Sequence, residues 1–380
     1  MSRIYSYDTT LRDGAQCEGI SFSCDDKLDI LRRLDAFGMD FVEGGWPGSN
    51  PRDDEFFAKA ADLDLKRTSL TAFGSTRRSG TRPENDTNLR NLAACPAEWC
   101  CIFGKSWDFQ AREALGISPE DNLTLIEDSV SFLVSKGKRV MFDAEHFFDG
   151  YVSSRDYAIA AIRAAERGGA EWAVLCDTNG GMLPGRIVAA CSDALSSLEI
   201  PVGIHCHNDS DLATANSLAA VDAGCTMVQG TVNGMGERCG NANLCTVLPD
   251  LSLKCGMDIG GIDLTGLTGL SISIGEIANM APSPGMPFVG YRAFAHKGGM
   301  HVSALVKDPK TYEHVGPETV GNSRRILVSD MAGRASISEK LKELGLEAGS
   351  DSPEITRFIK EMESKGYEFE GADASFELLV

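Results

Sequence analysis

Short apolar runs alternate with longer amphipathic segments through the first two thirds of the chain. Apolar runs at 3–8, 40–43, 66–73, 99–103, 139–143, 172–176, 202–205 and 227–230 predict strands. The intervening segments predict helices over 25–37, 53–62, 84–94, 119–135, 154–167, 184–196, 211–223 and 241–253. Leu28, Ile30, Leu31 and Leu34 near helical spacing illustrate the pattern. Ser118 before Pro119 is a helix-start signal. Eight strand–helix units in succession demand a parallel sheet with helices outside it, an α/β fold. About 250 residues for eight units is the size of a (β/α)8 TIM barrel. An open doubly wound sheet is the runner-up, weakened because no Gly-x-Gly-x-x-Gly follows the first strand.

After residue 255 the pattern changes. Residues 256–269 are rich in Gly, Asp and Thr, and 281–287 read Ala-Pro-Ser-Pro-Gly-Met-Pro, an extended stretch or linker. Shorter helical pieces are expected near 272–280, 292–307, 336–344 and 353–365. The expected organisation is a TIM-barrel catalytic domain over 1–270 followed by a smaller, mainly helical linker subdomain over 281–380.

With 43% hydrophobic and 24% charged residues the composition is that of a soluble globular protein. Lys and Arg number 36 against 55 Asp and Glu, a net charge of -19. Such a surface repels phosphate backbones and anionic lipid, so neither nucleic acid nor membrane is an expected partner. No apolar run reaches the ~18 residues of a membrane span. The twelve cysteines include no Cys-x-x-Cys, and Cys100-Cys101 are adjacent, which suits reduced thiols in a cytoplasmic protein.

Catalytic groups of a (β/α)8 barrel sit at the C-terminal ends of the strands. There the chain carries Asp8 to Gly14, Glu43 to Gly48, Asp143 to His146, Asp177 to Gly181, His205 to Asp209, and Asn233 to Asn241. His205 and His207, two apart on one strand, point to the same face. With Asp13 on the same rim they form a candidate divalent-metal site that suits Mg, Mn, Zn or Co equally. The alternative is a pair of hydrogen-bonded structural histidines. Cys206 points the other way. Arg12 beside Asp13 suits a carboxylate or a developing oxyanion, or else a buried salt bridge. The loop 234–241 offers backbone N–H groups to an anion, or is a tight turn, and Asn241 can supply an oxygen to the metal. Glu145 and Thr178 stand at strand ends, where a solvated residue or helix cap is as good a reading. Beyond the barrel, His296, His301 and Tyr312 cluster in a Gly-rich stretch. A histidine there can act as a base delivered to a barrel mouth, or be a surface residue.

Three motifs together, Asp8-Thr9-Thr10-Leu11-Arg12-Asp13-Gly14, His205-Cys206-His207 and Gly234-Met235-Gly236-Glu237-Arg238-Cys239-Gly240-Asn241, resemble the alpha-isopropylmalate synthase / homocitrate synthase family. The segments 43–51, 143–151 and 311–315 look most like its (R)-citramalate synthase branch. The resemblance covers nearly the whole chain. It implies a metal held by Asp13, His205, His207 and Asn241, and Arg12 on the oxo acid and the new alkoxide. It further implies Thr178 near the oxo-acid carboxylate, Glu145 in the active site, and His301 with Tyr312 as base and partner supplied by a neighbouring subunit of a homodimer. The implied reaction is a Claisen-type condensation of acetyl-CoA with pyruvate to (R)-citramalate and CoA, on a route to isoleucine. A 2-isopropylmalate or homocitrate synthase, using another 2-oxo acid, is the alternative within the family. A metal-dependent hydrolase is the alternative of a different class. Members usually continue into a C-terminal regulatory domain, whereas this sequence stops at Val380, so that domain is expected to be absent.

Overall fold

A computed structural model of the chain describes residues 3–329, 331–346, 352–370 and 372–378. Eight parallel strands, Tyr5–Asp8 (β1), Phe41–Gly45 (β2), Ser69–Ser75 (β3), Trp99–Lys105 (β4), Arg139–Glu145 (β5), Trp172–Asp177 (β6), Val202–Cys206 (β7) and Met227–Gly230 (β8), close into a barrel in chain order. β8 returns to β1 in register from Tyr5 opposite Met227 to Asp8 opposite Gly230. The fold is a TIM barrel with outer helices, followed by a mainly helical region.

Side-chain alternation along the strands fills the barrel. Tyr7, Phe41, Phe73, Trp99, Cys101, Met141, Trp172, Val174 and Met227 form one buried cluster. Aromatic edges close its N-terminal end, with Tyr5 on Trp172 at 5.1 Å and Phe41 on Trp99 at 5.2 Å between ring centroids. The apolar plug at one end leaves the polar side chains to the other.

The helices follow local signals. In Cys24–Phe37, Ser23 and Asp26 form a reciprocal capping box and Gly38, at φ 100°, ends the helix. Such a cap contributes about 1 kcal/mol. Leu28, Ile30, Leu31 and Leu34 are all buried. The segment expected to be helical from 241 begins only at Leu244, because backbone bridges tie Asn241 to His207 and Asn243 to Thr231. Two short helices after strand ends, Asp108–Glu113 and Phe147–Ser153, have too few turns to show a helical period.

The chain divides into two compact units, one of residues 1–263 with 270–281 and the other of residues 264–269 with 282–380. In the second unit the helix expected over 292–307 is shorter. Ala295–His296 pairs as a strand with Arg325–Ile326, and the helix spans Gly299–Leu305. Helices Arg334–Glu343, Ser352–Ser364 and Asp373–Glu377 follow. Val328, Ile337, Leu341, Ile359, Phe369 and Phe376 form a core of their own. Among the described residues no helix is long and apolar enough to cross a membrane.

Asp8, fully buried at the end of β1, accepts hydrogen bonds from Thr10 N (2.9 Å) and Thr10 Oγ1 (2.8 Å). Burial outweighs these bonds and pushes its carboxyl up from 3.8 to about 7. Between these values the unfolded chain has lost a proton that the native chain keeps. The contribution of this group to stability is therefore fully present below about pH 4 and falls as pH rises toward 7, by about 1.4 kcal/mol per unit. An Asp8→Asn variant, neutral at every pH, is expected to gain thermal stability relative to the parent as pH rises from 4.5 to 7. A difference in melting temperature that stays constant across that range would contradict this.

Candidate active site

The β1 end turns sharply, with Arg12 N and Gly14 N both donating to Thr9 O. The turn places Arg12 and Asp13 on a pocket of about 250 Å³ at the C-terminal end of the barrel. Asp143, Glu145, Thr178, His205 and His207 line the same pocket.

Asp13, His205 and His207 are buried, and one ligand atom from each lies within 4.8 Å of the others. His205 Nε2 is 3.4 Å from His207 Nε2 and 3.8 Å from Asp13 Oδ2. Two metal–nitrogen bonds of about 2.1 Å meeting at or below the tetrahedral angle span roughly 3.0–3.4 Å. The spacing of the imidazoles therefore suits one shared ion. Burial, then His205, pushes His207 down to about 4, so its ring is neutral at pH 7 with a lone pair to give. Burial opposes the charge on Asp13, but Arg12, the two imidazoles and Asn241 hold its carboxyl well below the usual range. Asn241 Nδ2 donates to Asp13 Oδ1 (3.0 Å) and Met235 O (3.0 Å). Its Oδ1, like His207 Nδ1, is buried without a partner among the described residues. Two imidazole nitrogens, a carboxylate and the unpartnered amide oxygen of Asn241 are the donor set a divalent cation takes.

The loop that carries Asn241 depends on glycine at two positions. Gly236 lies at φ 152°, where a Cβ would stand 2.2 Å from Asn241 Nδ2, and Gly240 at φ 86°, where it would stand 2.0 Å from Gly234 O. The N–H groups of Gly234, Met235, Gly240 and Asn241 bond back onto the chain. Arg238 clamps the loop from outside, with two bonds to Asp209 (2.8 and 2.9 Å) and one to Thr178 O (2.7 Å).

Arg12 lies between two carboxylates. Its Nε donates to Glu43 Oε1 (2.5 Å), its Nη1 to Asp13 Oδ2 (3.0 Å), and its guanidinium sits 3.7 Å from the centroid of Phe73. Burial opposes its charge, but Glu43 and Asp13 more than offset that and raise its pKa. Burial pushes Glu43 up against the pull of Arg12, and Tyr7 Oη donates to Glu43 Oε2 at 2.7 Å. One pocket wall is aromatic. Phe73 and Phe103 stack at 5.4 Å, and Trp46 stands edge-on to both at 5.6 and 5.9 Å. Trp46 Nε1 is anchored on Asn88 Oδ1 at 2.8 Å.

Glu145 is half-buried and paired with Lys105, and Thr178 Oγ1 accepts from His146 N at 2.8 Å. In the second unit His301 and Tyr312 stack with ring centroids 4.2 Å apart, and His296 bonds Glu313 at 3.1 Å. The structure thus brings Arg12, Asp13, Glu145, Thr178, His205, His207 and Asn241 to one rim, and His301 and Tyr312 to each other. Sequence reasoning placed Glu43 and Asp143 among the polar segments at strand ends without giving either a role, and did not single out Gln229, an amide within an otherwise apolar strand. That burial of a polar side chain in a strand was their signal. Trp46 lies in the rim segment 43–48 and Phe73 and Phe103 end predicted strands, but sequence reasoning assigned none of the three a role.

Residues 3–270 match the HMGL-like family model, and residues 288–367 match that of the homocitrate synthase post-HMGL domain-like family. The chain is 51% identical over 383 residues to the (R)-citramalate synthase of Aquifex aeolicus, covering 100% of this chain and 72% of that protein. Identity to the (R)-citramalate synthase of Geobacter sulfurreducens is 50% over 384 residues, covering 100% and 73%. The fold is similar to that of the HMG-CoA lyase of Bacillus subtilis, with a TM-score of 0.63 at 19% identity over 74% of this chain and 96% of that one. With its barrel matched almost end to end, the chain belongs to the HMGL-like family.

Proposed function

We propose that this protein condenses acetyl-CoA with pyruvate to give (R)-citramalate and CoA. The observation that carries the reading is the Asp13, His205 and His207 cluster beside Arg12 in a pocket walled by Trp46, Phe73 and Phe103. A divalent ion held by Asp13, His205 and His207, with Asn241 beside them, supplies Lewis acidity toward a 2-oxo acid. The side chains do the rest. Arg12, fixed by Glu43 and Asp13, presents fixed positive charge where the keto oxygen becomes an oxyanion. Thr178 lies near the oxo-acid carboxylate, and Glu145 completes the polar rim. His301, stacked on Tyr312 and supplied by a neighbouring subunit of a homodimer, takes a methyl proton from acetyl-CoA. The electron pair left on that carbon forms the new bond to the keto carbon, and the keto oxygen takes up a proton. Water then adds to the thioester carbonyl, the C–S bond breaks, and CoA leaves as the thiol. Thioester methyl protons are weakly acidic, so charge stabilisation and proximity carry most of the barrier reduction. A cytoplasmic setting on a route to isoleucine belongs to the same proposal and suits the twelve free cysteines.

A panel of 2-oxo acids tests the assignment, with CoA release followed for pyruvate, 2-oxobutyrate, 2-oxoisovalerate and 2-oxoglutarate. Pyruvate is expected to have the highest kcat/KM. Activity with 2-oxoisovalerate or 2-oxoglutarate and none with pyruvate would sink the proposal. The aromatic wall sets the size limit. Phe103→Ala is expected to raise the kcat/KM ratio of 2-oxobutyrate to pyruvate about tenfold, in line with roughly 1–3 kcal/mol per methylene. An unchanged ratio would remove that wall from the substrate pocket.

A further inference from the structure

His205 reaches the cluster through Nε2, and its other ring nitrogen is also engaged. Nδ1 lies 2.9 Å from Gln229 Oε1, and Gln229 Nε2 lies 3.0 Å from Asp143 Oδ1. Gln229, on β8, and Asp143, on β5, are both buried inside the barrel. We propose that Gln229, oriented by Asp143, is a positioning residue that holds His205 in the tautomer with the proton on Nδ1, so that Nε2 offers its lone pair to the cation.

The direction of the chain follows from what each group can do. The Asp143 oxygen facing Gln229 accepts, so the amide must turn its N–H₂ toward Asp143. Its carbonyl then faces His205 and can only accept, so Nδ1 must carry the proton. A neutral imidazole protonated on Nδ1 has its lone pair on Nε2, which is the atom beside His207 and Asp13. The carboxylate thus selects an amide orientation, and the amide selects a histidine tautomer. His207 has no equivalent, since its Nδ1 finds no partner among the described residues. Of the two imidazoles, His205 is therefore the pre-set one. Gln229 does not touch the pocket, so its effect is on the ligand and not on substrate.

The inference rests on the metal reading above, and two readouts separate them. In metal-free protein with ¹⁵N-labelled histidine, NMR is expected to show His205 as the single Nδ1–H tautomer. In Gln229→Met, similar in length without the amide, both tautomers should appear. A His205 tautomer unchanged in Gln229→Met would overturn the proposal whatever the metal does. Competition with a chromophoric chelator for Zn²⁺ or Mn²⁺ should give Gln229→Met an affinity about 10- to 100-fold below the parent. Equal affinities for parent and Gln229→Met would also overturn it. Far-ultraviolet circular dichroism on each variant confirms folding, and Asp143→Asn, whose amide can also donate, provides a second variant expected to show mixed tautomers. A parent protein that binds no divalent ion would defeat the metal reading, while the tautomer result still decides the role of Gln229.

Discussion

A His207→Ala variant is expected to lose its divalent ion and at least about 10³-fold in kcat. A factor of that size corresponds to about 4 kcal/mol of barrier, within the several kcal/mol that a Lewis-acidic ion supplies. His207 is buried and neutral, and its Nε2 stands 3.4 Å from that of His205. Removing it leaves one nitrogen and one carboxylate from the three converging groups, too few to hold an ion in competition with water. The fold should survive, because the ring's Nδ1 has no partner among the described residues whose loss would propagate. Metal content by mass spectrometry and kcat measured on the same sample check this. Turnover close to that of the parent in the presence of chelator would refute the metal role.

Arg12→Gln is expected to have the second largest effect, a fall in kcat of about 10²–10³-fold. Arg12 also neutralises Glu43, which is fully buried, so the same change should destabilise the fold by roughly 3–5 kcal/mol. Two losses with different causes can be separated. In Arg12→Gln with Glu43→Gln the buried charge is gone, and stability should largely return while activity does not. Arg12→Lys should not rescue activity. A single ammonium cannot bond Glu43 through one nitrogen and Asp13 through another while covering the Phe73 ring, as the planar cation of Arg12 does from 3.7 Å. Urea unfolding and steady-state kinetics on the three variants decide the matter. Recovery of activity in the double variant would show that Arg12 acts through stability alone.

The barrel was legible because eight apolar runs separated by amphipathic segments admit few other folds, and strand parity places every second side chain inside. His205 and His207 stood out through that parity alone. Boundaries were less legible where tertiary bonds outweigh local pattern. Asn241 and Asn243 lie in a segment that reads as helical, yet their backbone is spent on bridges to His207 and Thr231. Ala295–His296 was hidden inside an amphipathic stretch because its partner, Arg325–Ile326, lies about 30 residues downstream, and only the folded chain pairs them. The supporting groups were harder still. Nothing in the run Met227-Val228-Gln229-Gly230 announces that Gln229 bonds His205, since the contact depends on three strands closing around one axis. The partners of Arg12 were half visible: Asp13 is its neighbour in sequence, while Glu43 comes from the next strand.

With a divalent ion on Asp13, His205 and His207, the protein is expected to join acetyl-CoA to pyruvate. Incubating the protein with pyruvate, [2-¹³C]acetyl-CoA and a divalent metal, and following the labelled carbon by NMR, tests it most directly. The label is expected to move into the methylene group of (R)-citramalate, with one CoA thiol freed per product, and a chelator is expected to stop both. Label remaining in acetyl-CoA, or appearing only as acetate at a rate independent of pyruvate, would contradict it.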